Sequence, residues 1–140
     1  MDAPTTARDA LARLVDAAHR GALDDVCEDH GVRVLSAFGS ATRPSYPGTP
    51  GDLDVGVSFL DTTQSRALGL WDALVDLTGY EGVDLVVIDV DDPVLRSEAL
   101  TGIPLYEHQR GAFGEAQIAA LGERRDTAHL RRLNLELMAR

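Results

Sequence analysis

Polar and apolar positions alternate most cleanly over residues 53–60, Leu-Asp-Val-Gly-Val-Ser-Phe-Leu. Leu53, Val55, Val57 and Phe59 fall on one face of a strand, with Asp52, Asp54, Gly56 and Ser58 on the other. Two more short apolar runs read as strands: Val32–Phe38, and residues 83–90, Val-Asp-Leu-Val-Val-Ile-Asp-Val. The second is almost wholly apolar, which predicts a central strand covered on both faces. Leu105-Tyr106 adds a short edge strand.

Helical spacing fills the gaps. Over residues 6–20, Leu11, Leu14, Val15 and Ala18 form a stripe, with Thr5 or Thr6 as the cap and Gly21 as the break. Residues 22–30 make a second short helix stopped by Gly31. Residues 62–79 form an amphipathic helix, with Leu68, Trp71, Leu74, Val75 and Leu77 for its apolar side and Gly79 or Gly82 at its end. Asp92-Pro93 starts another helix, which reaches Leu100 or Thr101 before Gly102 and Pro104. Residues 112–139 are helical in propensity, with Leu121, Leu130, Leu133 and Met138 as a stripe and Gly114 and Gly122 as weak points. Strands alternating with helices predict an α/β (α+β) fold: one small mixed sheet flanked by helices. At 140 residues the chain fits one domain, with an N-terminal helical segment (1–30), a core (32–106) and a long C-terminal helix (112–139).

Composition narrows the function. The net charge is −10 and no lysine is present, so no direct nucleic-acid binding is expected. No apolar run suits a membrane span, and the first residues lack a secretion-signal pattern. Cys27 is the one cysteine, so no internal disulfide forms and the expected location is the cytoplasm. Cys27 is read as structural and Trp71 as core. His19, His30, His108 and His129 share no metal-ligand spacing. Asp89, Asp91 and Asp92 read as a solvated turn and helix cap, and Arg124, Arg125, Arg131 and Arg132 as a solvated helix face.

Candidate chemistry lies in residues 38–54, Phe-Gly-Ser-Ala-Thr-Arg-Pro-Ser-Tyr-Pro-Gly-Thr-Pro-Gly-Asp-Leu-Asp. Asp52 and Asp54 point to the same side of the strand, with Cα atoms about 6–7 Å apart. Carboxylates so placed repel each other unless a cation, a proton or water intervenes, and they suit one or two Mg²⁺ ions. Asp84 opens the next strand and stands beside Asp54 if the two strands are neighbours. Gly39-Ser40 ends a strand in a turn whose backbone N–H groups and hydroxyl suit a phosphate.

Taken together, Gly39-Ser40, Arg43, Asp52-Leu53-Asp54 and Val83-Asp84-Leu85 resemble the nucleotidyltransferase superfamily with the DNA polymerase β-like fold. The size resembles its minimal (MNT) branch, as do the stretch from Pro93 to Glu107 and the arginine-rich C-terminal helix with Asp126. The resemblance implies that Gly39 and Ser40 contact a triphosphate, with Arg43 nearby. It implies that Asp52, Asp54 and Asp84 hold Mg²⁺, and that Asp84 is also able to help deprotonate the acceptor. ATP is the implied substrate, and the implied role is an antitoxin that adenylylates a tyrosine of a HEPN-type toxin, in a hetero-complex or as a homo-oligomer. The 11-residue spacer between Ser40 and Asp52, with Pro44, Pro47 and Pro50, is longer and stiffer than is usual for that branch. Two other readings stay open: a non-catalytic module that neutralises its partner by covering it, and a nucleotidyltransferase acting on a small molecule.

Overall fold

The computed structural model describes residues 5–61, 66–89 and 93–122. Helix α1 (Ala7–Arg20) begins at Thr6, whose side-chain oxygen accepts from the Asp9 N–H while the Asp9 carboxylate accepts from the Thr6 N–H, each at 3.1 Å. Gly21, at φ 82°, ends α1 and leads into α2 (Ala22–Asp29). Then follow β1 (Val32–Phe38), a 3₁₀ turn at Ser40–Thr42, β2 (Leu53–Phe59), α3 (Ala67–Thr78), β3 (Val83–Val87), α4 (Pro93–Leu100) and β4 (Ile103–Glu107). A last helix, α5, covers residues 112–122 of the described chain. None of the described helices is long and apolar enough to cross a membrane.

The four strands form one sheet in the order β3-β2-β1-β4. β1 runs antiparallel to β2 and to β4, whereas β2 and β3 are parallel. A mixed sheet with helices on both sides is thus the α/β architecture expected from the alternation. One expectation changes: β3 lies at the edge of the sheet, not at its centre. Its apolar run reflects cover on both faces, with Leu85 and Val87 against one core and Val86 against the other. Such cover does not require a hydrogen-bonded neighbour on each side. β3 also stops at Val87, and β4 is longer than the expected Leu105-Tyr106 pair.

Against one face of the sheet lie α1, α2 and α3, burying Leu14, Leu23, Leu70 and Leu74 with Leu53, Val55 and Val57 of β2. The α3 stripe is Leu70, Leu74 and Thr78, so Leu68 of the expected stripe is exposed instead. Trp71 is partly buried and its indole N–H donates to the Val83 carbonyl at 2.8 Å, which ties α3 to the start of β3. The other face carries a smaller core of Val34, Phe38, Ile88, Ala99, Leu100, Ala112, Phe113 and Ala120 under α4 and α5. Leu121 is exposed there; Leu130, Leu133 and Met138 lie outside the described residues, as do 62–65, Asp91, Asp92 and Asp126.

Candidate active site

Sheet register brings the candidate residues together. Asp54 on β2 lies opposite Phe38 on antiparallel β1 and opposite Asp84 on parallel β3. Opposed residues share a face, so Asp54, Gly56 and Ser58 stand with Val34, Ser36 and Phe38 on the α4 side. Asp54 is half-buried and stands beside Asp84 across the parallel pair. Asp52 precedes β2 and is exposed.

The Gly39 turn meets this pair directly. Gly39 has φ 80°, a conformation open to glycine and strained for other residues. A Cβ built on it would stand 2.1 Å from Asp54 Oδ2. The turn and the carboxylate therefore occupy one site, and any side chain at position 39 would displace the acid. The Thr42 N–H donates to the Gly39 carbonyl and the Arg43 N–H to the Ser40 carbonyl, both at 3.1 Å. Arg8 of α1 donates from Nη2 to the Arg43 carbonyl at 3.1 Å, clamping the turn to the first helix.

At its far end the proline-bearing spacer is anchored as well. Pro50 is buried, the Tyr80 hydroxyl donates to the Gly51 carbonyl, and the Leu53 N–H donates to the Gly82 carbonyl at 2.9 Å. These bonds bracket Asp52 and set where its carboxylate emerges.

Electrostatics follows from the geometry. Burial first, then the charges of Asp84 and Asp52, push the Asp54 carboxyl up from 3.8 to about 6. Neither ion pair recorded among the described residues involves any of the three acids. Among these residues no group of three or more His, Cys, Asp or Glu side chains is drawn into a finished metal cage. Asp54 and Asp84 are the close pair, with Asp52 reaching toward solvent. As a donor set, three carboxylates suit a hard divalent cation, and the raised Asp54 is what such an ion would relieve.

Arg43 is exposed at the end of the turn, where it lines a depression of about 150 Å³ with Gly39, Thr42, Glu98, Thr101 and other residues. Glu98 lies within the stretch from Pro93 to Glu107, yet nothing in the sequence singles it out, because a single glutamate on a helix is ordinary. Asp89 proves to be more than a solvated turn residue: its carboxylate accepts from Ser58 Oγ at 2.8 Å and from the Phe59 N–H at 3.0 Å, tying the ends of β2 and β3. Burial pushes the Cys27 thiol up to about 12, with Asp24 and Glu28 adding to the rise, so it is a core group rather than a nucleophile.

No protein-family model matches the sequence, and neither does any curated protein. Solved structures do match the fold. A toxin–antitoxin structure with AMP-PNP superposes with a TM-score of 0.65 at 16% identity, covering 84% of this chain and 96% of that one. The structure of a tri-AMPylated Shewanella oneidensis HEPN toxin in complex with an MNT antitoxin gives 0.60 at 17% identity, covering 86% and 95%. A mutant MntA–HpeT toxin–antitoxin, with two Asp-to-Glu replacements two positions apart, gives 0.64 at 15% identity, covering 86% and 98%. The mixed sheet and its helices thus share a fold found in toxin–antitoxin structures.

Proposed function

We propose that this chain transfers AMP from ATP to a protein acceptor, a HEPN-type toxin, and so acts as its antitoxin. The observation that carries this reading is the meeting of Asp54, Asp84 and the Gly39 turn at one end of the sheet. In it, Gly39 and Ser40 hold the outer phosphates on a backbone that no Cβ obstructs, and Arg43 balances their charge. Asp52, Asp54 and Asp84 are the residues that would hold Mg²⁺, which when bound neutralises phosphate charge and orients the α-phosphorus. Asp84, exposed beside Asp54, accepts the proton of the attacking acceptor hydroxyl as the bond to pyrophosphate breaks. Positioning and charge do most of the work, and the bracketing bonds around Asp52 and the clamp from Arg8 supply the positioning. Solved relatives in fold support the reading: one carries AMP-PNP and another holds an AMPylated toxin.

The test is intact-mass analysis of a HEPN-type toxin co-expressed with this chain. Wild type should add AMP units to the toxin, and the Asp52→Ala/Asp54→Ala double variant none. A toxin left unmodified by wild type would refute the transfer reading. One observation favours a second reading: α5 leaves Ile118 and Leu121 exposed, an apolar pair free to meet a partner. If neutralisation survives the double aspartate variant and fails when α5 is truncated, covering the toxin is sufficient without chemistry.

A further inference from the structure

Resting on that nucleotide-transfer reading, we infer that the depression between the Gly39 turn and the end of α4 seats the pentose of the nucleotide, and that Glu98 selects for its hydroxyls. The depression, about 150 Å³, has Gly39 in its wall, and Gly39 touches Asp54 on its other side. A group bound there is one glycine away from the half-buried carboxylate.

The lining defines the ligand. The Thr42 hydroxyl donates its proton to the Gly39 carbonyl at 2.7 Å, and the Thr101 hydroxyl donates to the Glu98 carbonyl at 3.1 Å. Both hydroxyl protons are committed, so each oxygen has only lone pairs left to offer a ligand. Glu98 adds a carboxylate, which is an acceptor only when ionised. A wall of acceptors calls for a ligand rich in O–H donors. It rejects a phosphate next to Glu98, because like charges repel there. Arg43 supplies the one cation of the lining, and no ion pair joins it to Glu98 or to another described carboxylate. Its guanidinium therefore stays available for the phosphate that a nucleotide carries on its sugar. The aromatic ring of the lining belongs to Phe38, which is only 6% exposed and offers little face on which a base could stack. Hydroxyls beside an acceptor wall and a phosphate beside an arginine describe a pentose phosphate.

The site is also held in place. Ser36 Oγ donates to the Ala99 carbonyl at 2.6 Å, and the Gln117 side chain donates to the Leu100 carbonyl at 2.7 Å. These two bonds fix the last turn of α4, from which Glu98 projects. A carboxylate on a fixed helix end reads hydroxyls more sharply than one on a loop.

The experiment measures binding of ATP, 2′-deoxy-ATP and 3′-deoxy-ATP with Mg²⁺ by calorimetry, for wild type, Glu98→Gln and Glu98→Ala. Wild type should prefer ATP over at least one deoxy analogue by about tenfold, the worth of one hydrogen bond to a charged acceptor. Glu98→Ala should bring that ratio to within about twofold while leaving affinity for the disfavoured analogue unchanged; Glu98→Gln should fall between. Thermal melts confirm that the variants fold. A ratio that is flat in wild type, or unchanged in Glu98→Ala, overturns the assignment of Glu98 alone. Wild type that binds none of the three nucleotides overturns this inference and the transfer reading together.

Discussion

The two faces of the sheet are built on opposite plans. Toward α1, α2 and α3 the strands present Leu35, Leu53, Val55, Val57 and Phe59, met by Leu14, Leu23, Leu70 and Leu74. Toward α4 they present Ser36, Asp54, Gly56 and Ser58 between Val34 and Phe38, met by Ala99 and a smaller apolar cluster. Large side chains hold the first pair of layers apart and fill the space between them. Small ones let α4 come close enough that Ser36 reaches the Ala99 carbonyl. Among the described residues no buried side-chain polar atom lacks a partner, so the polar second face costs little. Stability rests mainly on the first face and the proposed chemistry on the end of the second.

That division can be broken from either side. Leu14→Ala should have the largest effect: a fully buried leucine truncated in the large core costs about 2–5 kcal/mol, read by chemical denaturation. AMP transfer by the fraction still folded should stay near wild type. Gly56→Ala comes next, at about 1–3 kcal/mol, because its Cβ would stand 2.8 Å from the Ala99 Cβ and push α4 outward. Here the loss of nucleotide affinity should outrun the loss of stability, since α4 carries Glu98. Were Gly56→Ala to leave binding untouched, the proposed link between the second face and the site would fail.

Asp54→Asn should have the smallest effect on stability, and its sign depends on pH. The folded carboxyl titrates near 6, above its unfolded value of 3.8. Its contribution is therefore full below about pH 4 and lost as pH rises through 6. A carboxamide is neutral throughout, so Asp54→Asn should melt above wild type at pH 7.5, with the gap closing toward pH 4. Mg²⁺ at pH 7.5 should raise the wild-type melting temperature more than that of the variant. Identical melts at both pH values would show that the three acids do not strain one another.

Much of this was legible in the residue pattern. Period-two alternation over 53–60 identified β2 and the face on which Asp54 stands. The position of Asp84 at the start of β3 made it the natural third acid once the strands paired. The edge position of β3 was not legible, because an apolar run reports cover on its faces and says nothing of how many strands flank it. Leu68 and Leu70 were confused because both fit a helical stripe, and only docking against the sheet selects between them. β1 departs from simple alternation through a register shift between Val32 and Val34, which turns Val32 into the large core and Val34 into the small one. The contact of Gly39 with Asp54 was hidden for a similar reason: it depends on the antiparallel register of β1 and β2. Glu98 comes to line the depression beside Gly39 through α4, which packs close to Gly56.

The parallel pairing of β2 with β3 has a kinetic consequence. Asp52 and Asp54 are neighbours in any fragment that contains them, yet Asp84 meets Asp54 only after α3 has crossed over and docked. Pairing across such a crossover is a non-local step, slower than closing a hairpin. A nascent or arrested chain thus carries the acidic pair without its third member. The three-acid cluster is thus a product of completed folding, absent from any fragment that ends before β3.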